Sequence, residues 1–194
     1  PRTDKFPITE VPSLPVTSKV AEMEGVTAEI TADTTASEVM WEGNMLGLYG
    51  HTGTVAVQSG NLSVENGAVK SGTFTVDLTG INPTDDGYDE ENTKEKLIGH
   101  LSSDDFFNVA EYPTATFEVT GTEGTSVMGN LTVRGKTNAE TVQNVTVMEE
   151  NGSVVVTGEL TFDRTKYDVN FSTGAADKVL SNDITLKVKV VGNK

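Results

Sequence analysis

Cysteine is absent from this chain of 194 residues, which excludes a disulfide framework, a thiolate nucleophile and a thiolate metal ligand. A chain of this length can fold without cross-links, because it buries most of the apolar surface that its unfolded form exposes. Histidine is scarce as well, at His51 and His100 only, and no nucleophile elbow, phosphate-binding loop or zinc-ligand spacing is present. The sequence therefore predicts one domain that is not an enzyme and holds neither a metal nor a cofactor.

Positive charge is the second deficit. The chain has 14 lysines and arginines against 29 aspartates and glutamates, for a formal net charge of -15, and arginine occurs only at Arg2, Arg134 and Arg164. Such a surface repels the phosphate backbone of a nucleic acid and the headgroups of anionic lipids. The sequence therefore predicts no nucleic-acid partner, and its acidic balance fits a secreted protein kept apart by self-repulsion.

Long apolar runs are absent too. No segment reaches the run of about 18 apolar residues that a transmembrane helix requires. The chain begins at Pro1 rather than at methionine and shows no apolar signal-peptide core. We expect a processed start, with any export signal or lipid anchor upstream of Pro1.

Prolines concentrate in residues 1–26, at Pro1, Pro7, Pro12 and Pro15. Because proline disfavours regular strand pairing, this segment is predicted to be an extended tail or linker. Its role is either a tether to an upstream anchor or none. Residues 27–194 are left for the folded domain.

From about residue 36 the apolar residues recur with a period of two. In residues 73–79 one face carries Phe74, Val76 and Leu78, and the other carries threonine and aspartate. The alternation returns in residues 115–119 and again in residues 184–190. In the latter segment, lysines mark the outer face. This pattern is typical of antiparallel strands with one face in a core and one in water.

Turn residues separate the alternating segments. Asn-Gly pairs tolerate the positive φ angles of tight hairpins. We predict turns at Ser59-Gly60-Asn61, Glu65-Asn66-Gly67, Glu123-Gly124 and Glu150-Asn151-Gly152. The strands are predicted near residues 36–43, 51–59, 70–80, 114–121, 126–134, 141–149, 152–162 and 182–192. Eight strands are the number at which a closed antiparallel barrel either fills itself with side chains or holds one small ligand.

One segment has a helical period instead. Residues 95–101 place Leu97, Ile98 and Leu101 on one face. The following Ser102-x-x-Asp105 resembles a capping box and indicates a second short helix. We predict that one or two short helices close an end of an all-β barrel, with a ring of Phe106 or Phe107 directed inward.

Several motifs resemble those of the YceI-like family of bacterial lipocalin-like barrels, and the resemblance extends from about residue 35 to the C-terminus. They are Leu101-x-Ser103-x-Asp105-Phe106-Phe107, Tyr112-Pro113-Thr114-Ala115-Thr116-Phe117, Gly129-x-Leu131-Thr132-Val133-x-Gly135-x-Thr137 and the stretch from Phe162 to Val169.

The resemblance implies an eight-stranded antiparallel barrel that binds, stores or transports an isoprenoid quinone, a polyprenyl phosphate or a fatty-acid-like lipid without chemistry. It also implies a periplasmic or cell-surface location. A homodimer is compatible with the sequence. The alternative is a surface or secreted interaction module with a solid β core and no lipid cavity.

Small residues on the inner faces, such as Ala115, Gly129 and Gly158, indicate an interior that does not fill itself. An apolar void lined by rings would suit a lipid, although each ring by itself is equally compatible with plain core packing. The predicted ligand-binding residues are Trp41, Phe74, Val76, Leu78, Phe106, Phe107, Phe117, Val119, Leu131, Phe162, Arg164 and Tyr167.

Four polar features have competing interpretations. Arg164 either grips a ligand's phosphate or headgroup in a bidentate manner or, as we favour, forms a salt bridge to Asp105 or Asp77. His51 is interpreted as a polar loop residue, and His100 as a structural residue at the barrel end or a ligand contact. The acidic residues 85–91 invite a calcium hypothesis, but the ligand spacing of an EF-hand is missing, so a solvated loop is favoured.

Overall fold

The computed structural model describes residues 25–45, 49–174 and 180–193. Most of the predicted N-terminal tail therefore lies outside the described residues. Within them, one α-helix and one short 3-10 helix (Arg164–Tyr167) accompany nine strands. These are β1 (Ala28–Ala32), β2 (Glu38–Met45), β3 (Tyr49–Glu65), β4 (Ala68–Pro83), α1 (Lys94–Ser102), β5 (Thr114–Glu123), β6 (Ser126–Val133), β7 (Lys136–Glu150), β8 (Ser153–Asp163) and β9 (Leu180–Asn193).

Strands β2 to β9 form a closed antiparallel barrel. Each pairs with its neighbours along the chain, and β2 also pairs with β9, so that Trp41 lies opposite Gly53 on one side and Leu186 on the other. This confirms the predicted eight-stranded all-β barrel. In the described part of the chain, no helix is long and apolar enough to cross a membrane.

Strand β1 is a ninth strand that the alternation did not predict. It lies between β3 and β9 beyond the start of β2, with Ile30 opposite Leu62 and Ala32 opposite Gly192. Residues 33–37 form the break between β1 and β2, where the Asp33 carboxylate accepts hydrogen bonds from the backbone and hydroxyl of Thr35. Together β1 and β2 therefore fill one interrupted position of the barrel wall.

Two predicted hairpin turns have the geometry that their residues suggested. Asn66 and Gly67 have φ angles of 51° and 76°, and Asn151 and Gly152 have φ angles of 53° and 85°. The turn predicted at residues 59–61 is wrong, because this segment lies inside β3 and Gly60 pairs with Phe74 on β4. The prediction assumed that Gly60 allows the chain to reverse, whereas Gly60 leaves room for the ring of Phe74 on the neighbouring strand.

The predicted helix is confirmed as α1, whose N-cap Thr93 accepts a hydrogen bond from the backbone of Lys96 at 3.3 Å. The second short helix that Ser102-x-x-Asp105 indicated is not formed, because the residues after Ser102 are in turns. Instead, the backbone turns back onto the end of α1, with the amide of Phe107 donating to the carbonyl of Leu101 at 3.1 Å. Asn108 then takes a φ of 46°, which does not continue a right-handed helix.

The two ends of the barrel differ. The helix end carries α1, residues 84–93 and the 3-10 helix, whereas the hairpin end carries the turns at residues 66–67, 124–125 and 151–152. Valines close the hairpin end, and Val64, Val147 and Val154 are at most 2% exposed. The interior is therefore sealed by apolar packing at the hairpin end.

Candidate ligand cavity

A cavity of about 710 Å³ occupies the barrel interior. It reaches Leu62, Val127 and Val156 near the hairpin end and Leu101 and Phe107 at the helix end. This volume is within the usual range of small-molecule sites. The lining residues with exposed side chains or backbone all lie at the helix end, and they are Gly50, Gly87, Asp89, Asn92 and Lys96. The mouth of the cavity is therefore at the helix end.

All but one of the predicted ligand-binding residues line this cavity. They are Trp41, Phe74, Val76, Leu78, Phe106, Phe107, Phe117, Val119, Leu131, Phe162 and Arg164. Their inward orientation follows from the alternation of the strands, since successive inner positions such as Phe74, Val76 and Leu78 all face the lumen. That they contact a ligand stays a prediction.

Tyr167 is the exception, because it does not line the cavity. Its side chain is fully buried behind Phe162, with ring centroids 5.3 Å apart and nearly perpendicular. The hydroxyl donates a hydrogen bond to the Glu140 carboxylate at 3.1 Å. Burial, together with this carboxylate, raises the pKa of the Tyr167 hydroxyl. Tyr167 therefore belongs to the barrel wall, where it fastens the 3-10 helix to β7.

Aromatic side chains cover part of the mouth. The His100 ring stands edge-on to Phe171 at 4.4 Å and to Phe106 at 4.9 Å between ring centroids. Its Nε2 atom lies 3.7 Å from the carboxylate of Asp105. His100 thus packs within the aromatic cover and also lines the cavity, which agrees with the structural role that the sequence suggested.

Arg164 does not form the predicted salt bridge to Asp105 or Asp77. Its side chain is 3% exposed, Nε donates to the Ser181 carbonyl at 2.9 Å and Nη1 donates to the Val169 carbonyl at 2.5 Å. Burial lowers the pKa of the guanidinium and the neighbouring Asp163 opposes that effect, but an arginine remains protonated in either case.

Arg134 makes similar contacts, although the sequence predicted no role for it. Its Nη1 atom donates to the carbonyls of Phe106 at 2.6 Å and Asp168 at 3.0 Å. The two arginines therefore brace the helix end by satisfying backbone carbonyls. Arg164 differs from Arg134 in that its side chain also lines the cavity.

The interpretation of His51 as a loop residue is wrong. It lies in β3, and its Nδ1 atom is 3.1 Å from the carboxylate of Asp85. The same carboxylate accepts hydrogen bonds from the Thr52 amide at 3.1 Å and the Tyr88 hydroxyl at 3.0 Å. The rings of His51 and Tyr88 are stacked, with centroids 5.5 Å apart. We call Asp85, His51, Thr52 and Tyr88 the Asp85 cluster.

The Asp85 cluster holds the acidic loop against the barrel mouth. Burial alone would raise the pKa of Asp85, but hydrogen bonds from His51, Thr52 and Tyr88 hold the pKa of this carboxyl below its ordinary value. Burial and the Asp85 charge raise the pKa of Tyr88 to about 12. Sequence reasoning missed this cluster because its members on β3 and in the loop are far apart in the chain.

A second carboxylate of the loop, that of Asp89, has local partners. Asp89 accepts hydrogen bonds from the amides of Glu91 at 2.8 Å and Asn92 at 2.6 Å. Among the described residues no group of three or more His, Asp or Glu side chains is placed to hold a metal ion. The loop is therefore fixed to the mouth through Asp85, while Asp86, Asp89, Glu90 and Glu91 are exposed to solvent, as predicted.

Polarity is distributed unevenly along the cavity. Towards the hairpin end its inner wall is formed by aliphatic side chains such as Leu62, Val127, Val145, Val156 and Val190. The charged and titratable lining residues are all at the helix end, and they are His51, Tyr88, Asp89, Lys96, His100 and Arg164. An occupant matched to this wall has an apolar tail and a polar head.

The sequence model of the YceI-like domain family matches residues 22–192 of this chain. The chain belongs to the YceI-like family. Two curated relatives from Staphylococcus aureus, described as UPF0312 proteins, are 38% and 39% identical to it over 90 residues. Each match covers 42% of this chain and 52% of the relative, so the chain spans about half the length of the curated relatives it matches.

Solved structures show the same YceI-like fold. BcnA of Burkholderia cenocepacia superposes with a TM-score of 0.61 at 20% identity, covering 84% of this chain and 99% of that chain. A domain from Saccharophagus degradans, described as a polyisoprenoid binding domain implicated in plant cell wall breakdown, gives a TM-score of 0.58 at 16% identity. That match covers 85% of this chain and 98% of the other. At such identities the likeness concerns the fold alone.

Proposed function

We propose that this YceI-like barrel binds one single-chain amphiphile, with the tail in the lumen and the head at the helix end, and leaves it chemically unchanged. The observation that carries the proposal is the cavity of about 710 Å³, whose inner wall is apolar and whose charged lining residues are confined to the helix end. A detergent-like or lipid-like molecule has this polarity, whereas a sugar or a nucleotide does not.

The volume limits the size of the occupant. A cavity of about 710 Å³ lies in the upper half of the usual range of small-molecule sites, which suits one lipid-sized molecule. A long fatty-acid-like chain or a short isoprenoid fits entirely.

Burial of the tail supplies the affinity. Each methylene removed from water contributes about 0.8 kcal/mol, and the ordering of the chain opposes much of the sum. We infer that the protein is a carrier or a store for its ligand in the periplasm or at the cell surface. The alternative of a solid-cored interaction module fits less well, because the interior is not filled by side chains.

The test is native mass spectrometry of the purified protein, followed by organic extraction and by titration of the delipidated protein with fatty acids and a quinone. We expect one ligand per chain. Phe117→Asp, which places a carboxylate in the lumen, should abolish binding. Thr120→Asp, which places it on the exposed outer face of the same strand, should bind like the wild type. Equal binding by both folded variants would contradict a site inside the barrel.

A further inference from the structure

Two phenylalanine rings in the lumen lie against glycines of the neighbouring strand. Phe74 on β4 is paired directly with Gly60 on β3, and Phe117 on β5 lies diagonally across from Gly129 on β6. A Cβ atom placed on Gly60 would be 2.5 Å from Cδ2 of Phe74, and one placed on Gly129 would be 2.3 Å from Cζ of Phe117. Each ring therefore occupies the space that the side chain of any residue other than glycine would fill at position 60 or 129.

These rings sit halfway along the cavity. Phe74 and Phe117 are register partners on the adjacent strands β4 and β5, and both pack against the buried side chains of the helix end as well as those of the hairpin end. Val142 and Val188 share this double contact. We call these four residues the mid-barrel ring.

The cavity nevertheless continues past the mid-barrel ring. Leu62, Val69 and Val127, which belong to the hairpin-end group of buried side chains, line the same cavity as Leu101 and Phe107 at the helix end. The passage is open because the two aromatic rings lie along the wall instead of projecting across the lumen. The glycines are what permits that position.

A methyl group at Gly60 would take away the space in which the Phe74 ring lies along the wall. The contacts that such a group meets are the Phe74 ring and, at 3.1 Å, the Cβ atom of Ala32. Because protein interiors are close-packed, we expect the Phe74 ring to be displaced towards the open lumen, where it would block the way to the hairpin end.

We propose that Gly60 and Gly129, with the rings of Phe74 and Phe117 that lie against them, are specificity-determining residues that set the longest tail the barrel accepts. This rests on the proposed function, since it presumes that the lumen holds a tail. The substrate class that follows is a single-chain amphiphile with an unbranched or sparsely branched tail, seated across the mid-barrel ring.

The experiment measures the affinity of straight-chain fatty acids of increasing length for delipidated protein by calorimetric titration. In the wild type, each added methylene should raise the affinity by up to about fourfold, the equivalent of about 0.8 kcal/mol, until the cavity is full. In Gly60→Ala the increase should stop several methylenes earlier, while the shortest acids bind as in the wild type.

Two further variants control for the substitution itself. Gly80→Ala adds a methyl group to an exposed position on β4, where the nearest atom is 3.6 Å away, and should leave the length limit unchanged. Gly60→Ala combined with Phe74→Leu removes the displaced ring and should restore the longer limit. Gly129→Ala is a weaker choice, because its methyl group would also meet the backbone carbonyl of Glu118 at 2.6 Å.

An identical length limit in the wild type and in folded Gly60→Ala overturns this inference alone, whereas a wild type that binds no fatty acid overturns the proposed function. If Gly60→Ala does not fold, nuclear Overhauser contacts in the wild type decide. The terminal methyl of the longest tightly bound acid should contact Val127 or Val156. Contacts that end at Phe74 and Phe117 would show that the passage is closed.

Discussion

At the residue scale, the Asp85 cluster shows how one partly buried charge connects a loop to the barrel wall. The carboxylate of Asp85 accepts hydrogen bonds from a side chain of the loop and from the first barrel-wall residues of β3. One acidic group therefore joins the loop of residues 84–93 to the wall, and we expect the order of this loop to depend on the ionised form of Asp85.

Asp85→Asn should loosen this loop. Because the folded-state pKa of Asp85 is lowered, its contribution to stability is present above the unfolded pKa of about 3.9 and is lost as the pH falls through the folded pKa. Urea denaturation between acid and neutral pH should show this loss in the wild type and a reduced loss in Asp85→Asn. Asp86→Asn, at an exposed neighbour, is the control. Equal pH profiles for all three proteins would contradict the assignment.

Tyr167 was predicted to bind ligand and is instead buried in the wall, so the two roles can be separated. Tyr167→Phe removes a hydroxyl that donates to Glu140 and leaves a buried acceptor with one partner fewer. The free energy of unfolding should fall by about 1–2 kcal/mol, while the affinity for fatty acids stays unchanged. A loss of affinity without a loss of stability would return Tyr167 to the binding site.

At the element scale, α1 shapes the mouth of the cavity with Thr93, Lys96 and Leu97. Thr93→Ala removes the N-cap oxygen, which costs about 1 kcal/mol of helix stability. Because frayed helix ends open the mouth, ligand dissociation measured by stopped-flow fluorescence should be faster. Thr93→Ser keeps the capping oxygen and should match the wild type. Identical dissociation rates in Thr93→Ala would show that α1 does not control release.

The alternation in β4, β5 and β9 allowed their inner faces to be predicted, since each inner residue is determined by its own neighbours in the chain. The interruption between β1 and β2 was not predictable in this way. Ile30 and Ala32 form a stretch too short to show a period, and β1 is held by pairing with distant residues of β3 and β9. Gly60 was wrongly predicted to lie in a turn for the same reason, because the residue that requires a glycine there is Phe74 on the adjacent strand.

At the scale of the whole molecule, the cavity and its polarity follow from the barrel's closure. Inner positions could be listed from the sequence, and all but Tyr167 of the predicted set line the lumen. The arrangement of these inner residues along the barrel axis could not be predicted, because the register between strands decides which aromatic rings are neighbours. The aliphatic hairpin end and the charged helix end emerge only when eight strands are joined.

We propose that the ligand's tail lies inside this barrel, with its head at the helix end. The most direct measurement is a crystal structure with a long fatty acid brominated at its terminal carbon, located by anomalous scattering. We expect a bromine peak among Leu62, Val127 and Val156, beyond the mid-barrel ring. A peak at the helix end or on the outer surface of the barrel would contradict it.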